Sequence, residues 1–258
     1  MPRFFSESTV PPGQNQIMLT GEDAHHIAHV LRMRPGEQIQ MCDGSGTDLQ
    51  CRIRHINGGQ ILLEVLSRSE NQTEPDYFIT LYQGLAKGDK MDQIIQKAVE
   101  LGASRIVPLQ CQRSVVRVQE HDRERKQQRW SRIAAEAAKQ CGRGVVPDVR
   151  FAQPFSDCLP EAAAVNLAVI PWEMERDKSI RTVLLDYANS HACYPASADS
   201  STRSFSVIIG PEGGLTEREI SEAIRHGIKP VSLGRRILRT ETAGPAVLAM
   251  FLYQFDAF

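Results

Sequence analysis

Two short segments hold the residue types and spacing that chemistry would need. The first is Ile209–Leu215, IGPEGGL. Its three glycines permit tight turns and let a ligand approach main-chain N–H and C=O groups closely. The second is Leu233–Ala243, LGRRILRTETA, in which Ile237 and Leu238 sit between arginines. Apolar residues bracketed by charge suggest a pocket wall beside a polar surface. Each segment also has a plain structural reading, as a strand-to-helix turn and as an exposed basic turn with Glu241 on a helix dipole.

The kind of ligand is constrained by what is missing. The chain has no G-x-x-x-x-G-K-[ST], and Glu212 would repel a polyphosphate. No G-x-G-x-x-G follows a strand. A ligand of these loops should be neutral or cationic and rich in hydrogen-bonding groups, and adenosine carrying a sulfonium fits better than ATP. Metal chemistry has little support. Six cysteines are scattered without a C-x-x-C pair, which reads as small buried hydrophobes rather than a zinc site or disulfide framework. His25, His26 and His29 share one short helix, with no cysteine or carboxylate at ligand spacing, so no metal is expected there.

The elements that must position these loops fall into two patterns. The first seventy residues read as short strands and tight turns: Glu37–Cys42, Asp48–Ile56 and Gln60–Ser67, the last two joined by Asn57-Gly58-Gly59. One helix interrupts them, with Thr20-x-x-Asp23 resembling a capping box and Ile27, Val30 and Leu31 forming its apolar face. This pattern suggests a small β-barrel, residues 1–70. Ser69–Asp76 is the linker. From 76 to 258 strands alternate with helices: Phe78–Leu85, a helix capped by Asp89, Ile106–Leu109, a helix over Asp122–Cys141, Leu167–Pro171 and Phe205–Ile209. Then come a helix over Thr216–His226 with the capping box Thr216-x-x-Glu219, Pro230–Leu233, and an apolar helix near Thr242–Phe255. That last helix should be buried or pack on a second subunit. Alternation of this kind implies an α/β layer with a mostly parallel sheet. His191–Ser204 is poor in hydrophobes and reads as a mobile loop.

The 258 residues suit one to two domains, and 41% hydrophobic with 24% charged residues exclude a disordered or fibrous chain. The longest apolar run, Ala246–Tyr253, is far short of a bilayer span, and MPRFFSEST lacks a signal core, so a cytoplasmic protein with no membrane partner is expected. A formal net charge of -1 is no global nucleic-acid signature. The charge is local instead: Arg113–Arg150 holds ten basic and five acidic residues, and Lys229–Arg239 four basic and none acidic. Such patches suit a phosphate backbone, or else solvated helix faces with i,i+4 ion pairs.

IGPEGGL followed about twenty residues later by LGxRILRTETA resembles the SPOUT superfamily of methyltransferases, and most closely the RsmE family of 16S ribosomal RNA (uracil-N3)-methyltransferases. The likeness extends to PRFF at the start, HHIxHVLRMRPG (His25–Gly36), KxxKMDxIIQKAVELG (Lys87–Gly102) and RWxxIAxEAAKQCGR (Arg129–Arg143). Gly244-Pro245 departs from it, and is tolerable if Thr242 caps the helix and Pro245 falls in the first turn. The resemblance implies a SPOUT-type knotted α/β methyltransferase domain preceded by a small PUA-like β-barrel, S-adenosyl-L-methionine (SAM) as cofactor, and a homodimer. It implies a cofactor site of Ile170, Pro171, Gly210, Pro211, Gly213, Leu233, Gly234, Ile237, Leu238 and Thr240, with Leu233, Ile237 and Leu238 sandwiching the adenine.

The expected partner is 16S rRNA within the small ribosomal subunit, not DNA. Arg3, Arg32, Arg34, Lys87, Lys90, Arg113 and Arg143 are the expected RNA contacts. Methyl transfer to uracil N3 needs alignment and loss of the N3 proton, and Arg239 is the candidate to stabilise the resulting anion. Glu212 or Glu241 as a base competes with a structural role at a helix start. Three alternatives stand beside this reading: a SPOUT enzyme acting on a ribose 2′-oxygen, a non-catalytic ribosome-assembly factor, and a nucleotide-binding enzyme, the last disfavoured by the missing lysine.

Overall fold

The computed structural model describes residues 1–6, 9–191 and 203–255. The expected mobile loop falls largely on 192–202, and with Cys193 lies outside the described residues. The chain forms two compact units, Met1–Glu74 with Ala138–Val146, and Pro75–Ala137 with Pro147–Phe258.

The first unit is built on strands β1 (Arg3–Phe5), β2 (Gln16–Leu19), β3 (Gln38–Cys42), β4 (Thr47–Asn57) and β5 (Gln60–Glu70) in the order β1-β3-β4-β5-β2. The PUA-like barrel is thus a half-barrel, with β1 and β2 as its edges. Alternating residues of β3, β4 and β5, among them Ile39, Met41, Leu49, Ile53, Ile61 and Leu63, fill its core. Register shifts in β4 at Gln50/Cys51 and Ile53/His55 bend the sheet.

Helix α1 (Gly21–His25) runs into a π turn over His26–Val30. The Leu31 N–H donates to the His26 carbonyl, five residues back, at 2.9 Å. This wider turn breaks the expected apolar face: Ile27 is buried, but Val30 and Leu31 are exposed. The Thr20/Asp23 capping box does not form either. Asp23 is a methylene shorter than the glutamate such a box uses, and it pairs with Lys139 at 2.8 Å.

The second unit is a seven-stranded, wholly parallel sheet. Its strands are β6 (Tyr77–Gly84), β7 (Arg105–Gln110), β8 (Asp148–Val149), β9 (Gln153–Pro154), β10 (Leu167–Pro171), β11 (Arg203–Ile209) and β12 (Lys229–Val231). The order is β12-β10-β11-β6-β7-β8, with β9 also on β7. Helices α2 (Lys90–Glu100), α3 (Arg123–Cys141), α4 (Phe155–Ala163), α5 (Ile180–His191), α6 (Glu217–Arg225) and α7 (Thr240–Phe255) complete the fold. Met91, Ile94, Ile95, Ala98 and Val99 of α2 are all buried at the expected spacing. Each large side chain among them contributes roughly 1.5–3 kcal/mol by leaving water. Gly102, at φ 81°, follows it where an L side chain would be strained.

One side of the sheet packs Phe155, Leu159, Ile220 and Ala223 of α4 and α6 against Ile170 and Ile208. An aromatic cluster of Tyr187, Phe205, Phe251 and Phe255 joins α5 and α7 to β11. Cys42, Cys51, Cys111 and Cys158 are buried free thiols. Burial pushes Cys111 and Cys158 up to about 12, which leaves them unreactive.

Candidate functional site

Strand tips β10, β11 and β12 bring together the loops that follow them. Together they enclose a cavity of about 640 Å³, lying outside the carboxyl ends of parallel strands, where open α/β sheets bind ligands. Both segments singled out by residue type line it. Of the expected cofactor residues, Pro171, Gly210, Pro211, Gly213, Leu233, Gly234, Ile237, Leu238 and Thr240 are on its wall, as is Arg239. One expectation needs correction. Ile170 is fully buried in the sheet beneath and does not reach the cavity. Ile237 lines the cavity at its rim with its side chain 85% exposed, and the more enclosed apolar wall is that of Leu233 and Leu238.

The first loop is held from several directions. Thr216 caps α6, and its hydroxyl accepts the Glu219 N–H at 3.2 Å. Glu219 Oε2 accepts the Thr216 N–H at 2.8 Å, which completes the capping box. Its Oε1 accepts the Gln112 N–H at 2.8 Å, so one buried carboxylate ties the loop to the segment beyond β7. The Arg113 guanidinium donates to the Gly213 and Leu215 carbonyls at 3.2 and 3.4 Å. A Cβ on Gly84, the last residue of β6, would lie 2.4 Å from the Pro211 nitrogen. Glycine there lets the strand tip touch the loop.

A hydrogen-bond chain joins the two loops under the cavity. The Thr240 hydroxyl donates to the Gly210 carbonyl at 2.7 Å and accepts from Gln83 Nε2 at 2.8 Å. Gln83 Oε1 is buried without a partner. The helix begins at Thr240 rather than at Thr242 as expected, so Pro245 is a sixth residue inside α7, past the first turn. Sequence reasoning missed Gln83 and Gly84. A polar residue inside an otherwise apolar strand was the only available signal. It missed Met174, Arg176 and Ser232 on the cavity wall too.

At the cavity mouth Lys90 lies 3.5 Å from Glu212 and 3.3 Å from Glu241. Partial burial opposes ionisation of Glu212. The Lys87 and Glu212 backbone N–H groups and the Lys90 ammonium overcome it and hold the carboxyl below the ordinary range. For Glu241 its own backbone N–H is the main cause of the same downward shift, helped by Lys90 and Arg239. Carboxyls held this way are poor proton acceptors.

The expected RNA contacts divide sharply. Arg32 and Arg34 are exposed, as are Lys87 and Arg113. Lys90 is committed to the two glutamates. Arg3 is nearly buried against Asp48 at 2.6 Å and donates to the Arg143 carbonyl, while Arg143 itself is buried against Glu74 at 2.5 Å. Those two guanidiniums tie the first unit together instead of presenting charge.

Comparison with known proteins follows the same division. A family model described as RNA methyltransferase domain matches residues 73–252, and one described as RNA methyltransferase PUA domain matches residues 19–66. The chain is 33% identical over 258 residues to Ribosomal RNA small subunit methyltransferase E of Bacillus subtilis (strain 168), covering 99% of this chain and 98% of that protein. The protein of the same name from Synechocystis sp. is 32% identical over 234 residues, covering 90% and 71%. Among solved structures, a putative methyltransferase from Legionella pneumophila in complex with bound SAM superposes with a TM-score of 0.83 at 31% identity, covering 97% and 96%. Ribosomal RNA small subunit methyltransferase E from Neisseria gonorrhoeae, bound to S-adenosyl methionine, gives a TM-score of 0.83 at 31% identity, covering 100% and 99%. The fold is thus the expected SPOUT-type α/β architecture with a PUA-like front.

Proposed function

The chain belongs to the family of ribosomal RNA small subunit methyltransferase E, and from that premise we propose that it transfers the methyl group of SAM to N3 of a uridine in 16S ribosomal RNA. The observation that carries this reading is the meeting of the two loops in one cavity. Its floor offers backbone groups of Gly210, Pro211 and Gly213, its walls are the apolar Leu233 and Leu238, and no phosphate-loop lysine is present. A cavity of about 640 Å³ is in the range of ordinary cofactor sites. These residues fit an adenosyl sulfonium: Leu233 and Leu238 would hold the ring, and the backbone of Gly210 and Gly213 would offer hydrogen bonds to its polar groups.

When bound, the donor supplies an electrophilic methyl group. The chain's own residues do the rest. The Gln83–Thr240–Gly210 chain keeps the two loops in register, so alignment is prepaid in the folded state. Arg239 leaves the second loop with no salt bridge among the described residues and stands at the mouth. Its guanidinium stabilises the charge that spreads onto the uracil oxygens as N3 loses its proton. Glu212 and Glu241, held ionised by backbone N–H groups with help from Lys90, are not suited to take that proton, which passes to solvent water in this reading, so the electrostatic contribution of Arg239 dominates.

In this reading residues 1–70 are the RNA-binding domain, with Arg32 and Arg34 toward the phosphates, and 76–258 carry the methyltransferase domain, except that Ala138–Val146 fold with the first unit. The outer face of α7 presents Ala249 and an 84% exposed Tyr253. A second copy of the chain covers it, giving a homodimer. The enzyme acts in the cytoplasm on small subunits. Calorimetric titration with SAM should show one site per chain. Mass spectrometry of 16S RNA from cells with and without the protein should show a methyl group missing from uracil N3. A methyl missing from a ribose 2′-oxygen would move the assignment to another specificity, and no SAM binding would leave a non-catalytic assembly factor.

A further inference from the structure

Ile237 is the most exposed large apolar side chain among the described residues. It projects from the cavity rim on the loop that starts at Gly234, whose φ of 108° excludes an ordinary L residue. Around it, on the same rim, stand Arg235, Arg236, Arg239 and Arg176. All four are exposed, and among the described residues none makes a salt bridge. A lone exposed isoleucine is unremarkable in itself, but here it sits among four arginines on a cavity lining where five basic side chains outnumber the three carboxylates of Glu173, Glu212 and Glu241.

What covers this rim can be decided by charge. A second copy docking face to face would set arginine against arginine, since a two-fold contact uses the same patch on both sides. A polyanion is the complementary partner. A cavity can act on a uracil only after the base leaves its stack, and proteins that hold a base out commonly fill the gap with an apolar side chain. The rim places such a side chain among arginines and beside the cavity.

We propose that Ile237 is an intercalating wedge: it enters the RNA stack where the target uridine has been extruded, while Arg235, Arg236 and Arg176 hold the flanking phosphates. The proposal rests on the reading that the cavity holds the methyl donor, but assigns Ile237 to the RNA rather than to the adenine.

The test uses the full-length protein with small ribosomal subunits from cells lacking it. Ile237→Ala should lower the single-turnover methylation rate by roughly tenfold or more, with SAM affinity in calorimetry within about twofold of wild type. Ile237→Met should restore most of the rate, because it supplies an apolar wedge, and Ile237→Ser should not. The Arg235→Ala, Arg236→Ala double variant should weaken subunit binding and reduce its salt dependence by about one unit of slope per arginine. Three results would overturn the wedge: a rate unchanged in Ile237→Ala, a SAM affinity that falls in step with the rate, or loss of a dimer in sedimentation. A wild-type protein that binds no SAM and transfers no methyl group would instead bring down the underlying function, and the wedge with it.

Discussion

The two loops at the cavity are built in opposite ways. Ile209–Leu215 is bonded from β6, from the segment beyond β7 and from α6, and Leu215 is buried in the core. Leu233–Arg239 is nearly bare, with the Gly234 N–H on the Ser232 hydroxyl at 3.3 Å as its own side-chain link and four exposed residues from Gly234 to Ile237. One loop is scaffold and the other is reader. A loop that must shape a small cavity gains from rigidity, whereas one that meets a large irregular partner gains from free side chains and unpaired charge.

The sharpest way to break this contrast is to truncate one apolar residue in each loop. Leu215→Ala should cost about 2–5 kcal/mol in denaturant unfolding, since it removes a buried side chain and leaves a cavity. Ile237→Ala should stay within about 0.5 kcal/mol of wild type. Comparable losses in both would mean that the second loop is packed after all. Next in size is chemistry without stability. Arg239→Ala should leave unfolding unchanged and SAM bound, while single-turnover methylation drops about 10²–10³-fold, the range for removing one donor to a developing anion. Turnover equal to wild type would deny Arg239 its role.

The joint between the loops comes third. Thr240→Val keeps the shape but removes the acceptor for Gln83 and the donor to Gly210, and should cost about 1–3 kcal/mol and weaken SAM binding. Adding Gln83→Leu should cost less than the sum of the two single changes, because it removes the amide left stranded. Strict additivity in the double-mutant cycle would show that the two side chains act apart.

Much of this architecture was legible. The two loops announced themselves by residue type, and the Thr216/Glu219 box and the α2 face formed as their spacing required, because both are local. What failed was either geometric or remote. Thr20/Asp23 has the spacing of a box, but Asp23 answers to Lys139, 116 residues away. Val30 and Leu31 fit a 3.6-residue period that a π turn does not keep. Arg3 and Arg143 looked like surface charge because nothing near them in sequence names Asp48 or Glu74 as partners. Gln83 stood out only as a polar residue in an apolar strand, and its role stayed hidden because its partner Thr240 lies 157 residues on.

The smallest expected effect concerns Lys90, which bridges a carboxylate from each loop's neighbourhood. Glu212 and Glu241 are both held below the ordinary carboxyl value when folded. A depressed folded value means that the stabilisation is complete above the unfolded carboxyl value of about 4.3 and disappears as pH falls through the folded values. Between about pH 5 and pH 8 this contribution should therefore stay flat, and below it should fade. Lys90→Met should lower stability by less than about 1 kcal/mol near neutrality, because the ammonium is partly solvated and screened. The gap between variant and wild type should close on the acid side, where the carboxyls are protonated in both proteins. A gap that widened toward acid would mean that Lys90 holds the mouth by packing its methylene stem, and that the two loops are joined there by contact rather than by charge.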